Sequence, residues 1–180
     1  MKGIIFTEFI DLVEAKFGLD TLDDVLESAG DDGVYTSVGS YDHRKLVQLV
    51  VMLSNKTGIP AEDLQRVFGQ SVFINLYSSL PKSSSLENCQ STFQFIRLVE
   101  DYIHTEVKKL YQDANPPRFD FISESETEME FDYRSARCMA HVCLGLLEGC
   151  AAHFEQSINV EMAPQVEDGS NVRFKVVLVE

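Results

Sequence analysis

The sequence predicts an α+β fold, with a helical N-terminal half and a C-terminal half that combines a small antiparallel sheet with one long helix. As far as Asp113, apolar residues recur at steps of three and four, which is the period of amphipathic helices. After Pro116 and Pro117, short segments alternate apolar and polar side chains, which is typical of half-buried strands. The prolines mark the change because they end a helix and disfavour helical geometry in the residue before them.

The N-terminal half is predicted to be a series of helices joined by loops. The helices cover residues 2–17, a short segment that ends at Gly30, about Tyr41 to Lys56, a segment that begins at Pro60, and about Ser91 to Asp113. Gly18 and Gly30 suit helix ends because glycine adopts the left-handed conformation there without strain. Pro60 suits a first turn, where a backbone amide would have no helical partner. Residues 34–41, rich in Ser, Gly and Tyr, are predicted to be a loop, and residues 82–86 are predicted to be a loop with a short turn.

The C-terminal half is predicted to contain two hairpins around a helix. The first pairs residues 119–122 with 128–133, and the second pairs 158–162 with 172–179. Between them, the apolar stripe of Met139, Val142 and Leu146 predicts a helix from about Ser135 to Phe154. No repeat or linker divides the 180 residues, so we expect one domain, with residues 1–60 and 61–180 as subdomains that share an interior.

The composition excludes several classes of function. A net charge of −14 leaves no basic stripe for nucleic acid and disfavours an anionic membrane surface. Acidic residues interrupt the N-terminal apolar segment, so it does not resemble a signal peptide. The apolar run at 138–147 contains His141 and is too short to cross a bilayer. We therefore expect a soluble, cytoplasmic protein.

The four cysteines show no C-x-x-C pair. They are Cys89, Cys138, Cys143 and Cys150, and the last three fall within one predicted helix. Reduced and mostly buried thiols are expected. A zinc site that includes His141 is an alternative, although no paired ligand spacing supports it.

Three polar side chains occur at every second position where the strand pattern changes to the helix pattern. They are Tyr133, Ser135 and Arg137, and together they offer two hydroxyl groups and a planar guanidinium that suits a carboxylate or a phosphate. Amides at a helix start would add to this preference for anions. Taken alone, the stretch favours a simpler interpretation, with Ser135 as a helix N-cap and Arg137 as a surface cation near an acidic patch.

Of the four histidines, His104 has the most apolar surroundings. It lies beside Ile103 and Val107 on the long helix, whereas His43, His141 and His153 have more polar neighbours or face away from an apolar stripe. A lone histidine in such a place is by default a core residue with a hydrogen-bond partner. A neutral imidazole at the edge of an apolar pocket is also a good metal ligand.

The motifs together resemble the H-NOX family of heme-based nitric oxide and oxygen sensing domains. In that family a proximal histidine on a long helix is followed by a Pro-Pro segment and then by Tyr-x-Ser-x-Arg after one hairpin. His104, Pro116-Pro117 and Tyr133-x-Ser135-x-Arg137 have this order and spacing. The opening Met1-Lys2-Gly3 and residues 145–149 are also similar to the family, and the similarity spans the whole chain.

The resemblance implies a site for heme b, buried between a distal subdomain (residues 1–60) and a proximal one (61–180). His104 would be the proximal iron ligand. Tyr133, Ser135 and Arg137 would hold the heme propionates, and Pro117 would press the porphyrin out of plane.

The resemblance also indicates which gas is sensed. Oxygen-binding members carry a tyrosine nine residues after the motif tyrosine, where this chain has Val142. The predicted distal pocket is entirely apolar: Ile5, Phe9, Val72, Phe73, Leu76, Val142 and Leu146. Because oxygen gains from a hydrogen-bond donor and nitric oxide does not need one, we expect binding of nitric oxide, and also carbon monoxide, but poor binding of oxygen.

The expected function is therefore that of a gas sensor that regulates a separate protein, not that of an enzyme. Release of His104 on nitric oxide binding is the expected switch, and a histidine kinase or a cyclic-di-nucleotide signalling enzyme is the partner that the resemblance implies. No phosphate loop, nucleophile elbow or H-E-x-x-H motif indicates catalysis. The alternatives are a non-heme acidic ligand-binding or protein-interaction module and, as a secondary role, redox sensing by the cysteines.

Overall fold

The structure is a computed structural model that describes residues 1–80, 83–110 and 114–179, without the side chains of Ser84 and Leu110. Its elements, in chain order, are α1 (Gly3–Phe17), α2 (Leu19–Ala29), α3 (His43–Thr57), α4 (Ala61–Ser79), α5 (Ser84–Glu87), α6 (Thr92–Leu98), a π-helical turn (Val99–Ile103), α7 (His104–Leu110), β1 (Arg118–Glu124), β2 (Glu128–Arg134), α8 (Ala140–His153), β3 (Ser157–Pro164) and β4 (Asn171–Val179). The predicted α+β class is confirmed. The predictions for Lys82 and for residues 111–113 lie outside the described residues.

The N-terminal helices form where the sequence predicts them. Gly30 and Gly58 end α2 and α3 in the left-handed conformation, with φ of 63° and 73°. Helix α3 begins after Asp42, whose side chain accepts a hydrogen bond from the Arg44 amide. Helices α1 to α4 share one buried cluster, to which α4 contributes Leu64 and Phe68. The boundary at residue 60 stays a prediction.

The predicted helix from Ser91 is interrupted by a wider turn. The Ser91 side chain caps α6 by accepting from the Gln94 amide, as an N-cap serine does. At Val99–Ile103 the backbone changes to a π-helix, and the His104 amide donates to the Val99 carbonyl. Such turns are rare and occur frequently at functional sites. Hydrophobic periodicity does not reveal this turn, because the change from i+4 to i+5 hydrogen bonding is a property of the backbone that apolar spacing does not encode.

The two predicted hairpins join into one sheet. The strand order is β1-β2-β4-β3, and all neighbours are antiparallel. The pairing of β2 with β4 connects the hairpins and places Phe131 opposite Phe174. Both rings are fully buried. They share a cluster with residues of α6 and α8, so one face of the sheet packs against these helices.

Helix α8 begins later than predicted. It starts at Ala140 after Met139 rather than at Ser135, and Cys138 lies before it with a φ of 53°. Ser135 is therefore not the N-cap of this helix, and helical amides do not lie beside Tyr133-x-Ser135-x-Arg137. Cys138 is exposed outside α8, while Cys143 and Cys150 are buried within it. A left-handed residue ends the turn after β2, which the apolar stripe of the helix could not reveal.

Helices α4 and α8 cross in very close contact at three glycines. A Cβ at Gly145 would collide with the Arg66 carbonyl oxygen and lie 2.8 Å from the Gln70 amide nitrogen. A Cβ at Gly69 would likewise collide with the Val142 carbonyl oxygen, and one at Gly149 would lie 2.7 Å from Cβ of Phe73. Arg66 reinforces the crossing by donating to Glu148 across it. None of the helices in the described ranges is long and apolar enough to span a membrane.

Replacing Gly145 by Ala should destabilise the protein. Alanine has the better helix propensity by about 1 kcal/mol, but its methyl group would meet backbone atoms that cannot rotate away. We expect a net loss of about 1–3 kcal/mol in the free energy of unfolding, measured by urea denaturation. Ala152→Val, at an exposed position of α8, is the control and should stay within about 0.5 kcal/mol. An unchanged or raised stability of Gly145→Ala would contradict the close crossing.

Candidate functional site

A largely apolar cavity of about 280 Å³ lies in the interior. Residues from α1, α4, α6, the π-helical turn, the sheet and α8 line it, so the helical half and the sheet half both contribute walls. Its volume is near the lower end of pockets that bind organic ligands, roughly 300–1,000 Å³. The polar lining side chains include His104, Tyr133 and Arg137, three of the residues that the sequence singles out.

His104 is the first residue of α7, directly after the π-helical turn. Its side chain is 13% exposed, and its Nδ1 lies 3.0 Å from Oε2 of Glu100. Burial lowers the pKa of His104 below its ordinary value, with an opposing contribution from the Glu100 carboxylate, so the imidazole is neutral at pH 7. A carboxylate only accepts hydrogen bonds, so the proton lies on Nδ1. Nε2 therefore keeps the lone pair that a metal ligand needs.

Arg137 is a half-buried cation without an anion. No carboxylate within the described ranges contacts its guanidinium, whereas Arg134 and Arg173 are paired with Asp120 and Asp132 at 2.7 and 2.8 Å. Burial lowers the pKa of Arg137, which reflects the cost of taking a charge out of water. Because the chain carries a large acidic excess, an unpaired half-buried arginine indicates that the missing anion belongs to a ligand.

Tyr133 and Ser135 play different structural parts. Tyr133 is 5% exposed and lines the cavity, and burial raises the pKa of its phenol far above the ordinary value, so the hydroxyl keeps its proton. Ser135 is 9% exposed, is not among the cavity-lining residues of the described chain, and accepts a hydrogen bond from the Arg137 amide at 3.2 Å. The serine therefore shapes the turn that brings Arg137 to the cavity.

Most of the predicted distal pocket lines the cavity, but Phe9 and Val72 do not. Ile5, Phe73, Leu76, Val142 and Leu146 contribute to the wall, as does Pro117 on the sheet side. Phe9 and Val72 are buried in the N-terminal cluster, where Phe9 packs edge-on against Phe68. Neighbouring helix positions are turned by about 100°, so Val72 points away from the wall that Phe73 forms.

Several residues at or beside the cavity were not predicted to be there from the sequence. Tyr77 lines the cavity beyond the predicted pocket, and its ring packs 4.3 Å from that of His153. Cys143 and Cys150 also reach the cavity wall. Glu100, the partner of His104, could have been found because residues four apart share one face of a helix. Among the described residues, no group of three or more His, Cys, Asp or Glu could hold a metal ion, which leaves the zinc alternative without support.

The residues present fit an iron porphyrin. An apolar cavity would suit the macrocycle, Nε2 of His104 could ligate iron, and the Arg137 guanidinium, which has no anion among the described residues, would suit a propionate. These features define the class of heme-binding domains with one histidine available to iron.

Comparisons with known proteins agree with this class. A family profile described as Haem-NO-binding matches residues 2–162. The Fe(II) unliganded H-NOX protein from K. algicida is 35% identical, with a TM-score of 0.93, over 100% of this chain and 97% of that one. The H-NOX protein from S. oneidensis in the Fe(II)NO state is 28% identical, with a TM-score of 0.87, over 100% of both chains. The H-NOX from Shewanella woodyi in the Fe(II)CO state with IWP-051 bound is 36% identical, with a TM-score of 0.81, over 99% and 95%. The comparison with curated proteins gave no match.

The chain therefore belongs to the H-NOX, or Haem-NO-binding, family. Members are heme-binding gas-sensor domains, not catalysts, and they bind diatomic gases such as nitric oxide and carbon monoxide. The predicted family and the expectation of a sensor in place of an enzyme are confirmed.

Proposed function

We propose that this protein binds heme b, ligates its iron through His104, senses nitric oxide and regulates a separate signalling protein. The observation that carries the proposal is a buried neutral imidazole with Nδ1 already engaged, in the same apolar cavity as an arginine that has no anion among the described residues. Family membership supports the coarser function of a heme-based gas sensor.

Each polar residue has a distinct part in the proposed site. His104 presents Nε2 to iron, and Arg137 pairs with a propionate through charge-assisted hydrogen bonds. Tyr133 contributes a protonated hydroxyl to the propionates. Ser135 holds the turn that carries Arg137 and offers its own hydroxyl to the same propionates. Pro117 lines the cavity and would press on the macrocycle. When bound, the heme supplies a ferrous iron that takes up diatomic gases.

The choice of nitric oxide rests on the wall formed by α1, α4 and α8. Ile5, Leu76, Val142 and Leu146 offer no hydrogen bond there. Val142 takes the place where, by resemblance, oxygen-binding members have a tyrosine. Tyr77 is the polar lining residue of α4, and its ring packs among Phe73, Phe95 and His153. We assign Tyr77 to the aromatic packing and not to ligand stabilisation.

Signalling requires two arrangements of the chain. We propose that freeing His104 lets α7 and the start of β1 shift relative to α4 and α8, which are held together at their glycine crossing. The partner that family resemblance suggests is a histidine kinase or a cyclic-di-nucleotide signalling enzyme, which would place the protein in the cytoplasm. The genes next to this one would test that choice directly.

Replacing His104 by Gly should abolish heme retention unless free imidazole is added. The substitution removes the proposed iron ligand and leaves space for a soluble one, which the Soret band of the purified protein reports. His141→Gly is the control, because that imidazole faces Glu62 at 3.8 Å and does not line the cavity. Full heme retention by His104→Gly without imidazole would exclude His104 as the principal ligand. An unsubstituted protein that stays colourless after hemin addition would favour a non-heme module.

Replacing Arg137 by Ala should weaken heme binding by roughly 10- to 100-fold, because a charge-assisted hydrogen bond contributes about 1.5–3 kcal/mol. The measurement is hemin titration of the apoprotein by absorbance. Arg134→Ala removes an equal charge three residues away, from a guanidinium already paired with Asp120, and should leave the affinity unchanged. Equal losses in the two variants would show that overall charge, and not a contact at Arg137, controls binding.

The ferrous protein should not take up oxygen in air, because the wall around Val142 offers no donor. Absorption spectra before and after exposure to air give the result. Val142→Tyr should gain oxygen uptake, while Tyr77→Phe should behave like the unsubstituted protein. Oxygen uptake that Tyr77→Phe abolishes would instead assign the donor role to Tyr77.

A further inference from the structure

Glu100 makes two hydrogen bonds through a single oxygen. Its Oε2 lies 3.0 Å from Nδ1 of His104 and 3.0 Å from the backbone nitrogen of Phe119. Its side chain is 22% exposed, and no lysine or arginine in the described ranges pairs with it. The carboxylate therefore directs its charge at the imidazole, with the Phe119 amide as a second donor.

We infer that Glu100 is a positioning residue that fixes the tautomer of His104, strengthens it as an iron ligand and connects it to strand β1. The inference rests on the proposed role of His104. Glu100 itself does not line the cavity in the described part of the chain, so it acts through the imidazole.

The negative charge of Glu100 makes His104 a stronger ligand, which is the first part of the inference. A histidine that donates to a carboxylate is a more basic ligand than one that donates to a neutral oxygen, and such outer partners typically contribute 10- to 100-fold to metal affinity. The contact is partly shielded, since the His104 and Glu100 side chains are 13% and 22% exposed. Shielding keeps the interaction stronger than that of a surface pair.

The second part follows from the Phe119 amide. Phe119 belongs to β1, two residues after Pro117, and its ring packs edge-on against His104 with centroids 5.6 Å apart. The same ring contacts Phe131 and Tyr133 of β2. A displacement of the imidazole therefore reaches the sheet through the shared carboxylate as well as through ring packing. The π-helical turn that precedes His104 is the adjoining element whose geometry can change.

The test compares Glu100→Gln and Glu100→Ala with Asp101→Asn in the heme-loaded protein. Glutamine keeps the shape of the side chain and can still accept both hydrogen bonds, but it has no negative charge. Alanine loses the shape, the hydrogen bonds and the charge. Asp101→Asn is the matched control, since it removes a charge from the exposed side of the same turn. The readouts are the iron–histidine stretching band in resonance Raman spectra, the midpoint potential, the rate of heme transfer to an acceptor protein, and hydrogen exchange at the Phe119 amide.

We expect Glu100→Gln to lower the stretching frequency and make the midpoint potential more positive, while the Phe119 amide stays protected. Glu100→Ala should shift both further, expose the Phe119 amide and accelerate heme transfer by roughly tenfold or more. Asp101→Asn should match the unsubstituted protein in all readouts.

A stretching band and potential unchanged in Glu100→Gln, or shifted equally in Asp101→Asn, would overturn the inference even if His104 is the iron ligand. Heme retention by His104→Gly without imidazole would instead overturn the proposed function. A Phe119 amide that stays fully protected in Glu100→Ala would overturn the second part. If Glu100→Ala does not fold, Glu100→Gln still decides the first part, and Glu100→Leu, which keeps the bulk but accepts no hydrogen bond, replaces alanine for the exchange measurement at Phe119.

Discussion

A protein that keeps an open cavity in its interior must hold the cavity walls apart by contacts made elsewhere. The crossing of α4 and α8 supplies this constraint, because Gly69 and Gly145 bring the two backbones into direct contact and Gly149 makes room for Phe73. Helices that meet so closely cannot collapse further into the space beside them. The sheet holds the opposite wall, with Phe131 stacked on Phe174 across β2 and β4. The cavity is thus a property of the framework and not a packing defect.

The polar groups at the cavity fit a ligand that the chain itself does not provide. An acidic chain with many available carboxylates leaves Arg137 without one in its described part, although it pairs the neighbouring Arg134 with Asp120. It supplies His104 with a partner at Nδ1 only. A polar group that has a partner within the chain is explained by the fold. A half-buried cation such as Arg137, with no anion among the described residues, indicates a ligand. The heme assignment depends on this difference more than on the apolar walls, which any core would have.

The sequence predicts the parts of the fold that depend on local pattern. The helix end at Gly30 and both hairpins follow from periodicity and turn chemistry. The resemblance of the motifs to the H-NOX family predicts a shared pocket for His104, Pro117, Tyr133 and Arg137, and all four line the cavity. Features that depend on distant neighbours do not follow. The pairing of β2 with β4, the late start of α8 and the burial of Phe9 behind Phe68 are set by tertiary packing. The π-helical turn does not follow either, because apolar spacing does not encode whether backbone amides bond four or five residues back.

A heme-based sensor needs a bond between protein and iron that is strong enough to retain the cofactor and weak enough to break when a gas binds. The residues around His104 are suited to both requirements. Glu100 is tethered on its other side to the Phe119 amide, so it holds the imidazole against the sheet. Glu100 lies within the π-helical turn and His104 follows it directly, and such turns are frequent at functional sites. In the proposed site, the carboxylate would set the strength of the bond between His104 and iron, and a change in the turn would allow His104 to leave. Because Glu100 and the turn both lie within one helical turn of His104, the same few residues would then tune ligand strength and signal output.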